Sequence, residues 1–352
     1  MSKTIEQIKP SGIRKFFDIV SEMPHAISLG VGEPDFDTPW HVRSEGIRSL
    51  EKGRTFYTSN SGLIELRQEI CKWYQRKYNV LYDYKTEALL TVGGSEGIDV
   101  ALRAMLDPGD EVIIPEPCYV SYVPCVQLIG AVPVTIELKN ENQFRLTPEE
   151  LLAAITDKTK ILILAFPSNP TGAVMTKEDL EPIAKICQEK DIYVISDEIY
   201  SELTYGGQKH CSISSLPGMK ERTIVINGFS KAYAMTGWRL GYALAPEVIA
   251  HQMTKIHQFA IMCAPTTSQY AAIEAIKNGD ADIEKMCKSY DQRRRFLLKK
   301  FEEIGLPCFE PHGAFYVFPC ISEFGMTSEQ FATELLNTEK LAVVPGTAFG
   351  DC

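Results

Sequence analysis

Three short apolar runs, spaced about thirty residues apart, restrict most strongly what this chain can fold into. They cover residues 160–166, 192–196 and 223–227, so that their starts are 32 and 31 residues apart. Apolar residues at helical spacing between 180 and 187 predict an amphipathic helix between the first two runs. This spacing is typical of strand–helix–strand units of about 30 residues. We therefore predict an α/β fold with a mostly parallel sheet and helices on both faces.

The alternation of strands and helices begins earlier in the chain and suggests the domain boundaries. Residues 88–92 have the pattern of a strand, and apolar residues at helical spacing follow between 98 and 106. We expect a large domain over residues 40–280. A smaller α+β domain would combine residues 1–39 with residues 281–352.

The smaller domain has its own pattern of predicted elements. Residues 313–318 and 341–345 have the composition of strands, and residues 328–337 have the pattern of a helix between them. An apolar-rich patch at 13–20 marks the N-terminal part. We expect these segments to form one unit beside the large domain.

Charge and composition exclude several classes of protein. With 36 Lys and Arg against 46 Asp and Glu, the formal net charge is −10, which argues against a nucleic-acid partner. The longest aliphatic run, 161–166, is far shorter than the ~18 residues of a membrane span. Ten cysteines occur without a Cys-x-x-Cys pair, and six histidines occur without zinc-ligand spacing. We predict a cytoplasmic protein with reduced thiols, no structural metal and no membrane partner.

Polar and glycine-rich segments follow the predicted strands, at the edge where α/β sheets bind ligands. The first two apolar runs are followed by Ser-Asn-Pro-Thr-Gly at 168–172 and by Asp-Glu-Ile-Tyr at 197–200. The third leads to Lys231, and Arg239 comes eight residues later. An earlier strand is followed by Gly-Gly-Ser-Glu-Gly at 93–97, which opens a helix. The chemistry at this edge therefore carries the functional prediction.

The groups at this edge match the chemical parts of one cofactor. A lysine can form a Schiff base with an aldehyde, and a carboxylate can keep a pyridine nitrogen protonated. Tyrosine and asparagine side chains can hydrogen-bond a phenolate oxygen. A Gly-Gly-Ser turn at a helix N-terminus, together with an arginine, can bind a phosphate. The set therefore predicts a site for pyridoxal 5′-phosphate.

The ordered set of motifs resembles the class I/II aminotransferases, which are pyridoxal-phosphate enzymes with the aspartate aminotransferase fold (fold type I). Each motif alone is weakly specific, whereas the ordered set is strong and spans essentially the whole chain. The matching segments are Gly-Val-Gly-Glu-Pro-Asp-Phe at 30–36, Phe-Tyr-Thr-Ser-Asn-Ser-Gly at 56–62, Thr-Val-Gly-Gly-Ser-Glu at 91–96, Ser-Asn-Pro-Thr-Gly at 168–172, Ser-Asp-Glu-Ile-Tyr at 196–200, Phe-Ser-Lys-Ala-Tyr at 229–233 and Met-Thr-Gly-Trp-Arg-Leu-Gly at 235–241.

The resemblance implies transfer of an amino group from an amino acid to a 2-oxo acid by a ping-pong mechanism. Lys231 would form the internal aldimine with the cofactor and act as the base of the 1,3-proton shift. Asp197 would pair with the pyridine nitrogen, and Tyr200 and Asn169 would hold the phenolate oxygen. Tyr119 would supply the aromatic ring that stacks on the cofactor.

The resemblance also implies residues for the phosphate and the substrate. Ser95 and Glu96 would contact the phosphate, and Arg239 would clamp it. Tyr57 would reach the phosphate of the neighbouring subunit, which implies a homodimer with shared active sites. The predicted cofactor-binding set is Tyr57, Ser95, Glu96, Tyr119, Asn169, Asp197, Tyr200, Ser230, Lys231 and Arg239, and the substrate-binding set is Gly32, Tyr119 and Asn169.

Two features depart from the family pattern. Many relatives have Ser or Thr three residues before the lysine, where this chain has Gly228, so one phosphate contact is expected to be lost or supplied by backbone. The sequence ends at Cys352, before the segment that in the family carries an arginine for the substrate α-carboxylate. We therefore expect a fragment that binds the cofactor but is deficient in catalysis.

Other functions stay open at this point. Carbon–sulfur β-lyases and some decarboxylases share the cofactor motifs. The run 93–97 also matches the Gly-x-Ser-x-Gly of serine hydrolases, and Asp197 and His312 follow Ser95 in triad order, although Lys231 would then be unexplained. A non-catalytic effector-binding module would need a DNA-binding domain, and the region before residue 25 lacks a helix-turn-helix pattern.

The sequence gives weaker evidence for the substrate than for the cofactor. The overall pattern is most similar to broad-specificity aminotransferases for aspartate-like or aromatic amino acids. Some aspartate specialists carry an extra arginine near the stretch 251–265, and none occurs there in this chain. Phe315 and Tyr316 could line the substrate pocket, but core packing is the favoured interpretation of both.

Overall fold

The structure, a computed structural model, describes residues 2–8, 23, 25–30 and 32–350 of the chain. The apolar patch predicted at 13–20 and the chain end at Cys352 lie outside these residues. The described strands form one sheet of seven strands and one of two strands. They are β1 (Ile27–Ser28), β2 (Ala88–Thr91), β3 (Glu111–Glu116), β4 (Val132–Glu137), β5 (Thr159–Ala165), β6 (Tyr193–Asp197), β7 (Thr223–Gly228), β8 (Gly241–Leu244) and β9 (Leu341–Ala342).

The larger sheet has the strand order β2-β8-β7-β6-β5-β3-β4. Strand β8 runs antiparallel to both of its neighbours, and every other pairing in this sheet is parallel. The three apolar runs of the sequence are its central strands β5, β6 and β7, which are buried because helices cover them on both sides. The prediction of a mostly parallel sheet is therefore confirmed.

The helices alternate with the strands along most of the chain. They are α1 (Lys3–Gln7), α2 (Trp40–Glu51), α3 (Ile64–Tyr78), α4 (Gly93–Met105), α5 (Tyr122–Leu128), α6 (Pro148–Ala154), α7 (Lys177–Glu189), α8 (Glu247–Ala260), α9 (Thr266–Asn278), α10 (Asp280–Glu303) and α11 (Ser328–Glu339). The predicted amphipathic helix is α7, which starts at a capping box formed by Thr176 and Asp179. None of the helices in the described residues combines the length and the apolar character needed to cross a bilayer.

Neighbouring residues of β2 show how the two faces of the sheet are covered. Leu90 packs with buried residues of α3 and α9, whereas Leu89 packs with buried residues of α4 and α8. Successive side chains of a strand point to opposite faces, so the four helices lie on two sides of the sheet. The expected three-layer arrangement follows from this alternation.

The smaller predicted domain differs from expectation in two elements: of the strand predicted at 341–345 only β9 (Leu341–Ala342) forms, and the strand predicted at 313–318 does not form. Helix α11 lies where the sequence predicts a helix, and β9 pairs in parallel with β1. Residues 313–318, predicted as a strand, instead contain an isolated bridge between Gly313 and Thr204 and a turn at Ala314. The φ of Ala314 is 56°, which is incompatible with an extended strand. The domain boundaries themselves stay a prediction.

One histidine joins three helices outside the large sheet. His41 on α2 contacts Glu274 on α9 through Nδ1 at 2.8 Å and Asp282 on α10 through Nε2 at 2.9 Å. Burial lowers the pKa of His41, but the hydrogen bonds to Asp282 and Glu274 outweigh it, so its pKa lies above the ordinary value. A raised pKa in the folded state means that protonation of His41 favours folding.

We expect His41→Gln to lower the melting temperature more at pH 6 than at pH 9. The stabilisation is present in full below the unfolded-state pKa of ~6.5 and is lost as the pH rises through the higher folded-state value. Because His41 and its two carboxylate partners are partly exposed, we expect the substitution to lower the free energy of unfolding by at most about 1 kcal/mol. Thermal unfolding at both pH values measures it, with the exposed His251→Gln on α8 as control. A loss that is equal at both pH values would contradict the interpretation.

Candidate active site

The carboxyl edge of the large sheet brings the predicted site residues together. The register pairs Asp197 at the end of β6 with Ala165 of β5 and with Ile226 of β7. Lys231 follows β7 by three residues. Because β8 is antiparallel, its first residue pairs with the last residue of β7, and Arg239 enters the same edge just before it.

Lys231 is a largely buried amine in a ring of functional groups. Its Nζ donates a hydrogen bond to the carbonyl of Gly32, and it lies 5.9 Å from the ring centroid of Tyr200. Burial lowers the pKa of Lys231 to about 8, and Arg239 contributes in the same direction. Glu33 and Asp197 oppose this shift because negative charges favour the protonated amine. The amine can therefore lose its proton much more easily than an ordinary lysine.

Asp197 is a buried carboxyl group held on both oxygens. The hydroxyl of Tyr122 donates to Oδ2 over 2.7 Å, and the backbone N–H of Ile199 donates to Oδ1 over 3.1 Å. Burial raises the pKa of Asp197, whereas these two donors lower it. The arrangement keeps a desolvated carboxyl in one orientation, ready to pair with a cationic or N–H group.

Tyr122 contributes to the site through its hydrogen bond to Asp197, a contact that the sequence analysis did not predict. It lies three residues after Tyr119, in the first turn of α5, and the two rings meet edge to face with centroids 5.5 Å apart. Tyr122 is fully buried, whereas Tyr119 is half-buried beside the site. The signal available in the sequence was the Tyr-x-x-Tyr spacing, which brings both side chains to one side of a turn.

The rings of Phe315 and Tyr316 pack against a hydrophobic cluster, as the favoured interpretation expects, and they also lie beside Lys231. Lys231 Nζ lies 5.5 Å from the ring centroid of Phe315. The hydroxyls of Tyr200 and Tyr316 are 2.5 Å apart, and a Cβ on Gly32 would lie 2.7 Å from the Tyr316 oxygen. The turn at 313–318, in place of the predicted strand, directs this segment toward Lys231.

The start of α4 and the Arg239 guanidinium form a site for an anion. Gly93 has a φ of 76°, and a Cβ there would lie 2.5 Å from Nη2 of Arg239. Arg239 Nη1 donates to the carbonyl of Thr236 over 3.1 Å. Ser95 is exposed in the first turn of the helix. Backbone N–H groups at a helix start, a hydroxyl and a guanidinium together favour a phosphate.

The side chain of Glu96 makes contacts within the protein, whereas its expected phosphate contact is through the backbone. Its Oε2 accepts the backbone N–H of Val92, and its Oε1 lies 2.6 Å from Nδ1 of His257. The carboxylate is thus engaged within the protein, and the backbone N–H of Glu96 is the group left for a phosphate. His257 is a second residue that the sequence analysis missed.

The other predicted residues are Asn169, Ser230 and Tyr57, and they differ in how close they lie to Lys231. Asn169 precedes a cis proline, and its Oδ1 is buried without a hydrogen-bond partner among the described residues. Ser230 is buried beside Lys231. Tyr57 is 80% exposed and is not brought to the cluster within this chain. An exposed tyrosine agrees with a role toward another subunit, which stays a prediction.

The serine hydrolase alternative is not supported by the geometry. Both oxygens of Asp197 accept hydrogen bonds from Tyr122 and Ile199. Nδ1 of His312 is buried without a partner in the described part of the chain, so the carboxyl does not orient this imidazole. A triad needs that contact to activate its serine, and Ser95 is therefore not supported as a nucleophile.

Comparisons with known proteins agree with the cofactor chemistry. The family model described as "Aminotransferase class I and II" matches residues 24–351. An aspartate aminotransferase of Pyrococcus abyssi is 46% identical, over 99% of this chain and 90% of that protein. An aromatic-amino-acid aminotransferase of Thermococcus litoralis is 44% identical, over the same shares of both chains.

A solved structure extends the agreement to the fold. The aspartate aminotransferase of Thermus thermophilus, crystallised with maleate, superposes with a TM-score of 0.95 at 37% identity. The match covers 99% of this chain and 92% of the Thermus chain. The sheet and its surrounding helices are therefore shared with aminotransferases along nearly the whole length.

We expect Lys231 in the cofactor-free protein to react with an amine-acylating reagent with a midpoint near its pKa of about 8. Exposed lysines should show midpoints near the ordinary value of ~10.4. Acylation across a pH series, followed by mass spectrometry of the peptides, measures the midpoints of Lys231 and of the exposed lysines in the same sample. Glu33→Gln should move the Lys231 midpoint lower, because it removes a negative charge that favours the protonated form. A Lys231 midpoint close to that of the exposed lysines would contradict the site electrostatics.

Proposed function

The chain belongs to the family of class I and II aminotransferases, and we propose that the cluster around Lys231 is its active site. It is a pyridoxal-phosphate-dependent enzyme that transfers an amino group between amino acids and 2-oxo acids. The observation that carries the assignment of the site is the buried amine of Lys231, with its pKa lowered to about 8, between a buried carboxyl and an anion site.

Three features of the site support binding of pyridoxal phosphate. The amide of Asn169 has a buried oxygen without a partner in the described residues, which a bound polar group would satisfy. Gly93 leaves space beside Arg239 that any Cβ would fill. Asp197 presents a desolvated carboxyl whose natural partner is a protonated ring nitrogen. The donor set thus fits the phosphate, phenolic and pyridine groups of the cofactor.

When bound, pyridoxal phosphate supplies an aldehyde for the amino group and a protonated ring that withdraws electrons from the substrate Cα. Asp197 would hold the proton on the ring nitrogen, and Tyr122 and Ile199 keep its carboxyl in place. Tyr200 and Asn169 would hold the phenolic oxygen. Ser230, on the turn that carries Lys231, would add a polar contact.

Lys231 would attach the cofactor and then move the substrate proton. A pKa of about 8 means that Nζ can accept a proton from the substrate Cα and return it near neutral pH. Burial at this position also keeps water from the reacting atoms. The same lowered pKa makes Lys231 a better nucleophile toward the cofactor aldehyde than an exposed lysine.

Phosphate and substrate would be held at the two ends of the cluster. Backbone N–H groups at Ser95 and Glu96, the Ser95 hydroxyl and the Arg239 guanidinium would bind the phosphate dianion. Tyr119 would stack on the cofactor ring. Gly32 would offer its backbone to the substrate carboxylate, and Asn169 its side-chain amide.

We also propose a homodimer in which Tyr57 completes the site of the neighbouring subunit. Phe56 and Tyr57 are each 80% exposed, and Phe259 is 87% exposed, so that large apolar rings face outward in this chain. The side chain of Asn60 donates to the carbonyl of Met262, which joins the two segments that carry these rings. Exposed aromatic residues of this kind favour a protein interface.

We also propose that the protein is cytoplasmic and has a biosynthetic role. Cys71 and Cys187 are buried in the core, and burial raises the pKa of both thiols to about 12. Thiols in such surroundings are unreactive and behave as apolar core groups. A chain that uses cysteine in this way suits a reducing compartment.

The proposed site is tested by locating the cofactor. We expect borohydride reduction of the holoenzyme, followed by peptide mapping, to fix one cofactor per chain on Lys231. Lys231→Arg should keep the fold and the positive charge but lose this attachment and nearly all transfer activity, because the pKa of a guanidinium is too high for proton exchange. Attachment to another lysine, or an active Lys231→Arg variant, would rule out the assignment.

Shared sites predict that two inactive variants restore activity when mixed. In a mixed dimer of Tyr57→Ala and Lys231→Ala, one site carries both changes and the other carries neither. Random exchange makes about half of the dimers mixed, so about a quarter of the wild-type activity should return. Native mass spectrometry verifies the exchange, after Tyr57→Ala alone has been shown to be impaired. A lack of recovery in verified mixed dimers would exclude the shared site.

A further inference from the structure

A buried histidine lies directly behind the start of α4. His257, in the last turn of α8, is 0% exposed, and its Nδ1 is 2.6 Å from Oε1 of Glu96. With a carboxylate as acceptor, Nδ1 is the donor. The other ring nitrogen, Nε2, is buried without a hydrogen-bond partner among the described residues. The hydrogen bond to Glu96 is therefore the polar contact that stabilises this histidine among the apolar residues between α4 and α8.

Glu96 connects this histidine to the backbone that precedes the anion site. Its second oxygen accepts the N–H of Val92, the residue just before the helix. The hydroxyl of Thr91 donates to the carbonyl of Gly93 over 2.8 Å. These contacts hold the turn on both sides of Gly93, which has a φ of 76° and precedes the first N–H groups of the helix that lack an intrahelical partner.

Removal of the His257 donor would leave Glu96 with a buried, unpaired oxygen. The side chain would then turn toward water or toward other donors, and the first N–H groups of its own helix have no intrahelical partner and are available to it. Those are the groups that would bind the phosphate. The histidine thus prevents the carboxylate of Glu96 from competing with the phosphate for the same donors.

We propose that His257 is a positioning residue for the phosphate site, acting through Glu96. The inference rests on the proposed function, because it presumes that the start of α4 binds the cofactor phosphate. It predicts that the contribution of His257 is confined to the phosphate. Affinity for the ring of the cofactor, which is held by Asp197 and Asn169 at other strand ends, should not depend on it.

The comparison of pyridoxal phosphate with pyridoxal, which lacks the phosphate, isolates this contribution. Dissociation constants of both are measured on the full chain after removal of the bound cofactor, by the change in absorption on binding. His257→Leu removes the donor at similar volume, and His257→Asn restores an N–H near the position of Nδ1. His251→Leu, at an exposed histidine on the same helix, serves as the matched control.

We expect His257→Leu to weaken pyridoxal phosphate binding by about tenfold or more, as for the loss of a hydrogen bond to a charged group. Pyridoxal binding should change by less than about twofold, within the scatter expected of a distant substitution. His257→Asn should recover much of the loss, and His251→Leu should match wild type for both ligands. If His257→Leu does not fold, His257→Gln carries the test, because it is polar but places its N–H near Nε2 instead of Nδ1.

Two results would overturn the inference. An equal loss of affinity for pyridoxal and pyridoxal phosphate would make His257 an ordinary core residue. Unchanged affinity for both would mean that Glu96 keeps its place without the histidine. A wild-type chain that binds neither ligand would instead refute the proposed function, so the two failures are distinguishable.

Discussion

The close approach of three backbone segments is the constraint on which the active site depends. Gly228 ends β7 and Gly241 begins β8, and a Cβ on Gly228 would lie 3.0 Å from the Cα of Gly241. A Cβ on Gly241 would lie 2.6 Å from the backbone carbon of Gly93 at the start of α4. A side chain at either strand position would push these segments apart. The absence of Cβ atoms lets the start of β8 lie against the start of α4, where Arg239 lies beside Gly93.

This packing gives a physical reason for one departure from the family pattern. Gly228 stands where many relatives have a hydroxyl residue three positions before the lysine. In this chain a side chain there would meet the backbone of β8 and Ile199 at 3.0–3.3 Å. In the proposed phosphate site, backbone N–H groups at the start of α4 and Arg239 would compensate for the missing hydroxyl. The proposed support of that helix start by Glu96 and His257 is consistent with greater reliance on it.

The sequence predicts the fold because the fold follows from local patterns, and the same patterns indicate which segments lie at the carboxyl edge of the sheet. The apolar runs at β5, β6 and β7 specify buried parallel strands, and their carboxyl ends place the segments that carry Asn169, Asp197 and Lys231 at one edge of the sheet. Contacts between distant segments are not encoded in this way. Tyr122 reaches Asp197 across 75 positions, and His257 reaches Glu96 across 161. The Tyr-x-x-Tyr spacing is a local signal for the position of Tyr122 but does not indicate its contact with Asp197, and no local pattern distinguishes His257 from core packing.

The strand predicted at 313–318 does not form, because contacts with distant segments determine its conformation. Its composition is that of a strand, but the carbonyl of Gly172 accepts the N–H groups of both His312 and Gly313. A Cβ on Gly313 would lie 2.4 Å from Pro167, so the chain must pass close to that proline and then turn. Tertiary contact overrides the propensity here, and the turn that results brings Phe315 and Tyr316 to the site.

The end of α8 contacts both the proposed phosphate site of its own subunit and the segment proposed to reach the neighbouring subunit. The side chain of His257 supports the helix start through Glu96, while its carbonyl accepts the N–H groups of Ile261 and Met262. The carbonyl of Met262 in turn accepts from Asn60, three residues after Tyr57. One helix end thus orients the donors of its own subunit and the segment proposed to reach the neighbouring one. Because both rest on the same turn, displacement of α8 would disturb the proposed phosphate site of its own subunit and, through Tyr57, that of the neighbouring subunit, whereas loss of the imidazole alone would disturb only the first.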